Sequence, residues 1–308
     1  MTQARLLVSV PGPTLRDALG TPPPGADVVV WDLEAPAPGD HIDLVVPPYM
    51  SAASRLGALD GVSTRLVQSQ SIGFDGVPAA LPPGHVFANA ASVHETSTAE
   101  LTIALVLASQ RGIPDFVRAA GEGRWAPARH ESLADRRVLL IGYGGVGRAI
   151  EARLAPFEVE ITRVASRARS DEQGFIRGID ELPTLLPNAD IVIVGVPLTE
   201  STTGLIGEAF LAALPDGALV VNIARGKVAD TAAILAEAER GRLRFALDVT
   251  DPEPLPAGHP LFALPNVLVS PHVGGASTAM IPRMARLLGE QIERMLRGDE
   301  PLNVVFRS

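Results

Sequence analysis

"RVLLIGYGGVGRAIEARL", Arg137–Leu154, decides how this chain is read. An apolar run ends at Gly142, and a helical pattern opens directly after it. Gly142, Gly144 and Gly147 stand between them at G-x-G-x-x-G spacing. In a strand–turn–helix unit the three glycines have separate duties. The first permits the tight turn, the second lets backbone approach a pyrophosphate, and the third lets the helix pack on the strand. The start of the helix presents unpaired N–H groups to the anion. Gly142–Gly147, with Tyr143, Gly145 and Val146 inside it, therefore reads as a dinucleotide-binding loop.

Working outward, short β-branched runs alternate with helical stretches. Arg5–Val10, Asp27–Trp31, Asp43–Pro47, Thr64–Ser69 and His85–Asn89 precede the glycine loop. Glu158–Ala165, Ala189–Val196, Ala218–Ala224, Arg244–Val249 and Asn266–Ser270 follow it. Several are apolar at nearly every position, as in parallel strands buried on both faces. The pattern predicts an α/β fold with two parallel sheets. A long helix is predicted over residues 96–112, and the stretch from Ser109 to Asp135 reads as a long connection that contacts a second copy.

Composition removes several functions. There is no cysteine, so no disulfide, thiolate metal site or cysteine nucleophile is available, and no metal site is expected. The net charge is −9 with scattered basic residues, which argues against a nucleic-acid surface. The longest apolar stretches are too short to span a bilayer. The first residues lack a signal-peptide pattern, so the expected location is the cytoplasm.

The strand after the glycine loop selects the dinucleotide. An acidic residue at its end would bind a ribose 2′-hydroxyl. Here the chain reads Ala165-Ser166-Arg167-Ala168-Arg169. Ser166 can donate a hydrogen bond, and Arg167, assisted by Arg169, can pair with a 2′-phosphate. The prediction is NADP(H) in preference to NAD(H). The alternative is a solvated turn and an enzyme that accepts either.

Three later strands end in groups able to do chemistry. Arg225 follows "LVVNIA", Asp248 ends "FALD" with Glu253 five residues on, and His272 follows "VLVSP". Strand ends of a parallel sheet share one crevice. A histidine can supply a proton near neutral pH, a carboxylate can orient its ring, and an arginine can bind a substrate carboxylate. Singly, Arg225 also reads as a cap, Glu253 as a solvated loop residue, and His272 as a turn residue. Their joint placement downstream of a dinucleotide loop favours the chemical reading.

The chain resembles the D-isomer-specific 2-hydroxyacid dehydrogenase family over nearly its whole length. "GYGGVG", "VPLTESTTGLI", "LPDGALVVNIARG", "ALDVTDPEPL" and "HPLFALPNVLVSPHVGG" carry the resemblance in order. It implies a Rossmann domain, residues 96–275, inserted into a flavodoxin-like substrate domain, residues 1–95 plus 276–308. It implies Arg225 as substrate ligand, Glu253 as partner of the histidine, and His272 as acid/base. Asp248, Val196, Pro197, Thr202, Ile223, Ala224, Gly274 and Gly275 would contact the cofactor. Backbone N–H groups of Ile72 and Gly73 would hold the substrate carboxylate, with Tyr49 and Met50 lining the pocket. It further implies a homodimer built through the cofactor domain.

The expected activity is reversible hydride transfer between a nicotinamide cofactor and a small 2-oxo or D-2-hydroxy acid, in the manner of glyoxylate/hydroxypyruvate reductases. Two departures from the family weigh against 3-phosphoglycerate. "VPPYM" lacks basic residues, and the chain stops soon after Asn303. A dinucleotide-sensing co-repressor type of binding protein, or the same fold acting on formate or phosphite, are the alternatives.

Overall fold

The computed structural model describes residues 5–50 and 52–308 of the 308-residue chain. Contacts divide the chain into two units, residues 1–94 with 277–308 and residues 95–276. Among the described residues no helix is long and apolar enough to cross a membrane.

The second unit is built on eight strands. They are β6 (Arg137–Ile141), β7 (Glu160–Ala165), β8 (Arg169–Asp171), β9 (Gly174–Gly178), β10 (Ile191–Val194), β11 (Leu219–Asn222), β12 (Arg244–Leu247) and β13 (Val267–Val269). Their order is β13-β12-β11-β10-β6-β7-β9-β8. Strand order reverses between β6 and β10, the switch point of a doubly wound sheet and the place where such sheets bind dinucleotides. β6 and β10 to β12 read as unbroken apolar runs because both faces are covered. Leu139, Ile141, Val192, Val194, Val220, Phe245 and Leu247 pack into one core. The alternating Val138, Leu140, Ile191, Ile193, Leu219, Val221 and Ala246 pack into the other.

Register puts Ile141, Val194, Asn222, Leu247 and Val269 in one row across the sheet. The loops that leave these strands therefore start along one rim. At the opposite rim the Asp190 carboxylate accepts from the Arg137 backbone N–H (2.8 Å) and guanidinium (2.9 Å). The adjacent guanidinium and that N–H hold the Asp190 carboxyl below its ordinary range, with burial opposing.

The first unit contains β1 (Leu6–Val10), β2 (Ala26–Val30), β3 (His41–Val45), β4 (Ser63–Gln68), β5 (Val86–Ala88) and β14 (Val304–Arg307), in the order β14-β5-β4-β3-β1-β2. Its parallel part follows the flavodoxin-like 2-1-3-4-5 order. The helix Met280–Arg297 lays Met284, Leu288, Ile292 and Met295 against Val8, Val10, Leu44 and Leu66.

Three features depart from the sequence reading. β14 pairs antiparallel with β5, and β8 with β9, so each parallel sheet carries an antiparallel edge. β8 is the polar Arg-Ser-Asp, and β14 has only three consecutive apolar residues, Val-Val-Phe, too short a run to mark a strand. Within the segment read as a connection, Ile113–Gly121 is a helix with Pro114 in its first turn. Proline is tolerated there because the N–H it lacks has no partner inside the helix. Gly112, at φ +62°, separates this helix from Glu95–Gln110.

Candidate active site

The glycine loop has the shape its spacing requires. Gly142 sits at φ +102°, and a Cβ there would lie 2.4 Å from the Gly195 carbonyl oxygen, so only glycine lets β6 and β10 part at the switch point. A Cβ on Gly147 would lie 2.3 Å from the Gly142 oxygen, which fixes how closely the helix Gly145–Leu154 packs. Gly144 has nothing within 4 Å of its Cβ position, leaving open space at the helix start. An open cradle at a helix N-terminus fits a dinucleotide pyrophosphate. Glu95, not foreseen in the sequence, lies against Gly145, 3.1 Å from where its Cβ would be.

Tyr143 faces inward. It is 2% exposed, and its hydroxyl donates to Glu151 and lies 2.7 Å from Gln173 Oε1. The guanidinium of Arg148 stands over its ring at 5.1 Å and that of Arg163 at 5.6 Å. Arg163 also pairs with Glu151. Burial first, then the Glu151 carboxylate, push the Tyr143 phenol up to about 12, with Arg163 opposing. This leaves only the Tyr143 backbone for a ligand. Ile223 and Ala224 are similarly sunk in the two cores and Val196 is buried. The Thr202 hydroxyl bonds inside its own loop, 2.7 Å from the Pro197 oxygen, while Pro197 is exposed.

Beyond β7, Ser166 and Arg167 are exposed. Arg169 turns back so that Nη2 donates to the Tyr143 carbonyl at 3.0 Å. Arg169 thus braces the glycine loop, which places Arg167 as the cation left at the strand end. Val146 packs partly against the core beneath the loop.

The loops after β11, β12 and β13 converge. Asn222 accepts from the Ala224 N–H (3.1 Å) and donates to the Arg225 carbonyl (3.2 Å), shaping the turn that carries Arg225. Arg225 Nη1 donates to the Ala224 oxygen at 2.7 Å. A Cβ on Gly226 would lie 1.8 Å from the Thr250 oxygen, so glycine lets the Arg225 and Glu253 loops touch. His272 Nδ1 is 2.5 Å from Glu253 Oε1. With Nδ1–H donated to the carboxylate, Nε2 is the nitrogen left for chemistry.

Asp248 organises the histidine turn. It is 3% exposed, and its carboxylate accepts from the Ser270 hydroxyl (2.6 Å) and the N–H groups of Val273 (2.9 Å) and Gly274 (3.0 Å). The His272 N–H donates to the Asp248 carbonyl at 2.8 Å. His272 itself has φ +52°, a conformation held by these bonds. A Cβ on Gly274 would lie 2.9 Å from Asp248 Oδ2 and 3.4 Å from Thr98. Its smallness therefore makes room for Asp248 and Thr98; Gly275 follows at the end of the turn. Ser270, Thr98 and Asn222 gave no sequence signal: Ser270 and Thr98 meet Asp248 and Gly274 only in the folded chain, and Asn222 acts through its own turn.

The substrate residues expected in the first unit lie at the ends of β3 and β4. The Ile72 carbonyl accepts from Asn89 Nδ2 at 2.8 Å, and Gly73 follows in the same turn. Tyr49 stacks on His94 with ring centroids 5.6 Å apart, and His94 Nε2 lies 2.6 Å from the Gln70 oxygen. Met50 is 54% exposed at φ +60°. His94, 4% exposed, is an addition to the sequence-derived set.

Residues 103–274 match the family model described as D-isomer specific 2-hydroxyacid dehydrogenase, NAD binding domain. This chain belongs to the D-isomer specific 2-hydroxyacid dehydrogenase family. It is 33% identical to a glyoxylate reductase of Thermofilum pendens over 248 residues, 77% of this chain and 73% of that one. It is 28% identical to a human glyoxylate reductase/hydroxypyruvate reductase over 291 residues, 89% of each. A D-isomer specific 2-hydroxyacid dehydrogenase from Xanthobacter autotrophicus Py2, solved in complex with NADPH and MES, superposes with a TM-score of 0.83 at 30% identity, covering 98% of both chains. This 2-hydroxyacid dehydrogenase thus binds a nicotinamide cofactor and acts on small 2-oxo acids.

Two outcomes test this geometry. The dehydrogenase has two tyrosines, Tyr49 and Tyr143. In a Tyr49→Phe enzyme, tyrosinate absorbance is expected only near pH about 12, so ionisation near the ordinary phenol value while folded contradicts the buried network. Because the folded phenol holds its proton more tightly than the unfolded one, this contribution to stability is present below about pH 10 and lost as pH rises toward 12. Asp248→Ala leaves three donors without their acceptor. It is expected to cost about 1–3 kcal/mol in denaturant unfolding and to lower kcat at least about tenfold by loosening the His272 turn. An unchanged kcat would remove Asp248 from positioning.

Proposed function

We propose that this dehydrogenase is an NADPH-preferring reductase of small 2-oxo acids such as glyoxylate and hydroxypyruvate, reversible toward the D-2-hydroxy acids. The observation that carries the proposal is the His272–Glu253 pair, 2.5 Å apart on the rim that also bears Arg225 and the glycine loop. The names of the relatives and the NADPH in the Xanthobacter structure support it.

Gly142–Gly147 would hold the cofactor pyrophosphate, and Ser166 with Arg167 its 2′-phosphate. When bound, the cofactor supplies the hydride that adds to the carbonyl carbon. Arg225 pairs with the substrate's carboxylate and draws electron density toward the carbonyl oxygen. The doubly protonated His272 ring gives its Nε2 proton to that oxygen, completing the hydroxyl. Glu253 accepts the Nδ1–H throughout, so the ring keeps one orientation in both directions. Nε2 then regains a proton from solvent, which reaches the 30%-exposed side chain. In the first unit, Ile72, Gly73, Tyr49 and Met50 are the proposed substrate contacts.

A homodimer built through the second unit is part of the same reading. Ile113 is 47% exposed, Val117 66% and Trp125 96%, an apolar surface that a lone chain would leave in water.

His272→Ala should reduce NADPH-dependent glyoxylate turnover by about a thousandfold or more while NADPH binding, read by fluorescence, stays near wild type. Retained turnover would remove the proposed acid. For the cofactor, Arg167→Ala should shift the NADPH:NADH ratio of kcat/KM toward NADH by about tenfold or more; an unchanged ratio would refute the 2′-phosphate assignment. Light scattering should give twice the 32.3 kDa chain mass for the wild type and a lower mass for Val117→Asp/Trp125→Ala. A monomeric wild type would contradict the dimer.

A further inference from the structure

The loop after β4 ties down its carbonyl groups and leaves N–H groups over. Three successive carbonyls are held from within the first unit. The Gln70 oxygen lies 2.6 Å from His94 Nε2, the Ser71 oxygen accepts from the Ala90 N–H at 2.9 Å, and the Ile72 oxygen accepts from Asn89 Nδ2 at 2.8 Å. The Ser71 N–H is satisfied as well, by Ser69 Oγ at 2.9 Å. The next two are not. Among the described residues, neither the Ile72 nor the Gly73 N–H has an acceptor. Both residues keep part of their surface in solvent.

The peptides on either side of Ile72 are trans. A trans peptide points its C=O and the following N–H in opposite directions. Holding the Ser71 and Ile72 oxygens against the segment after β5 therefore turns the Ile72 and Gly73 N–H groups away from that segment. The two anchors differ in kind. The Ala90 donor is backbone and is present whatever the side chain. The Asn89 donor is an amide side chain, so the direction of the Gly73 N–H depends on which residue stands at position 89.

Asn89 is itself built in. Its Oδ1 accepts from the Ala91 N–H at 3.2 Å, and its backbone N–H donates to the Asn303 oxygen at 3.1 Å. Its backbone oxygen accepts from Gln68 Nε2 at 2.8 Å, and the same Nε2 donates to the Ser69 oxygen at 3.0 Å. Gln68 Oε1 accepts from Gln291 Nε2 at 2.7 Å. Gln291, on the helix Met280–Arg297, closes the set by donating to the Leu302 oxygen (3.0 Å) and accepting from the Leu302 N–H (2.9 Å). Both glutamines are fully buried, and a buried amide is tolerated when its donors and acceptors are paired, as they are here. This amide pair fixes the backbone from which the Asn89 side chain reaches Ile72.

We propose that Asn89 is a positioning residue for the substrate carboxylate: by holding the Ile72 carbonyl inward, it aims the Gly73 N–H outward as a fixed donor. This rests on the reading of Ile72 and Gly73 as substrate contacts, and adds the side chain that orients them. A donor aligned beforehand needs no reorganisation when the anion arrives. Without the Asn89 amide the Ile72–Gly73 peptide is free to rotate, and that alignment is lost before binding.

The test is steady-state reduction of glyoxylate by NADPH in Asn89→Leu, in Gly73→Pro and in the double variant, with NADPH binding read by fluorescence. Asn89→Leu keeps the size and neutrality of the side chain and removes its donor. Gly73→Pro removes the N–H itself. Each single variant should raise the KM for glyoxylate at least about tenfold, with a smaller change in kcat and NADPH affinity near wild type. The double variant should have the KM of Gly73→Pro alone, because Asn89 then has no N–H left to aim. If Asn89→Leu fails to fold, Asn89→Ala carries the same test.

A raised KM in Gly73→Pro with an unchanged KM in Asn89→Leu would overturn the role of Asn89 and leave Gly73 as a substrate contact. An unchanged KM in Gly73→Pro would overturn the substrate-contact reading and the proposal with it. Effects on KM that multiply in the double variant would make Asn89 act independently of the Gly73 N–H, and would overturn the proposal. So would losses of kcat and NADPH affinity as large as the rise in KM, which mark general damage to the fold.

Discussion

Parallel register in one sheet is the constraint on which the rest of the second unit depends. Ile141, Val194, Asn222, Leu247 and Val269 form a single row. Each strand delivers its next residues to the same rim, so groups more than a hundred residues apart in sequence become neighbours. Covering both faces with apolar side chains fixes that register, because a one-residue slip would exchange the two cores along every strand. The candidate site is thus positioned by the core beneath it, and its loops need only short, local bonds to finish the arrangement.

Those local bonds are economical. One buried carboxylate, Asp248, accepts from Ser270, Val273 and Gly274 and sets the turn bearing His272. One glycine, Gly226, lets the Arg225 loop lie on the Thr250 backbone, bringing the arginine loop beside the glutamate loop. Glu253 then has only to reach Nδ1. The histidine's unusual backbone angle follows from bonds made around it, and its freedom to turn is lost before any substrate arrives.

The fold and the placement of the candidate residues were largely legible in the sequence, for reasons that particular residues make plain. The glycine spacing 142-144-147 encodes a turn, an open approach and a close packing, and each has a local cause. Arg225 and His272 follow apolar runs within three residues and Glu253 lies in the loop after another, where chain order places them on one rim. Ser270, Thr98 and Asn222 were not legible, since a serine that meets Asp248 across two strands leaves no periodic mark. Tyr143 and Thr202 sit in the right loops, but their side chains turn inward to satisfy buried polar groups. β8 escaped because it is polar, and β9 and β14 because two and three consecutive apolar residues are too few to mark a strand.

The central claim is that Glu253 holds the His272 ring with its Nδ1 proton engaged and Nε2 free to exchange a proton with the substrate oxygen. Nitrogen-15 NMR of the ring-labelled enzyme, with the His272 signals assigned by their loss in a His272 variant, reads this directly. The account predicts that neutral His272 carries its proton on Nδ1, that this proton resonates far downfield, and that the downfield signal disappears in Glu253→Ala. A neutral ring protonated on Nε2 with a bare Nδ1, unchanged by Glu253→Ala, would contradict it.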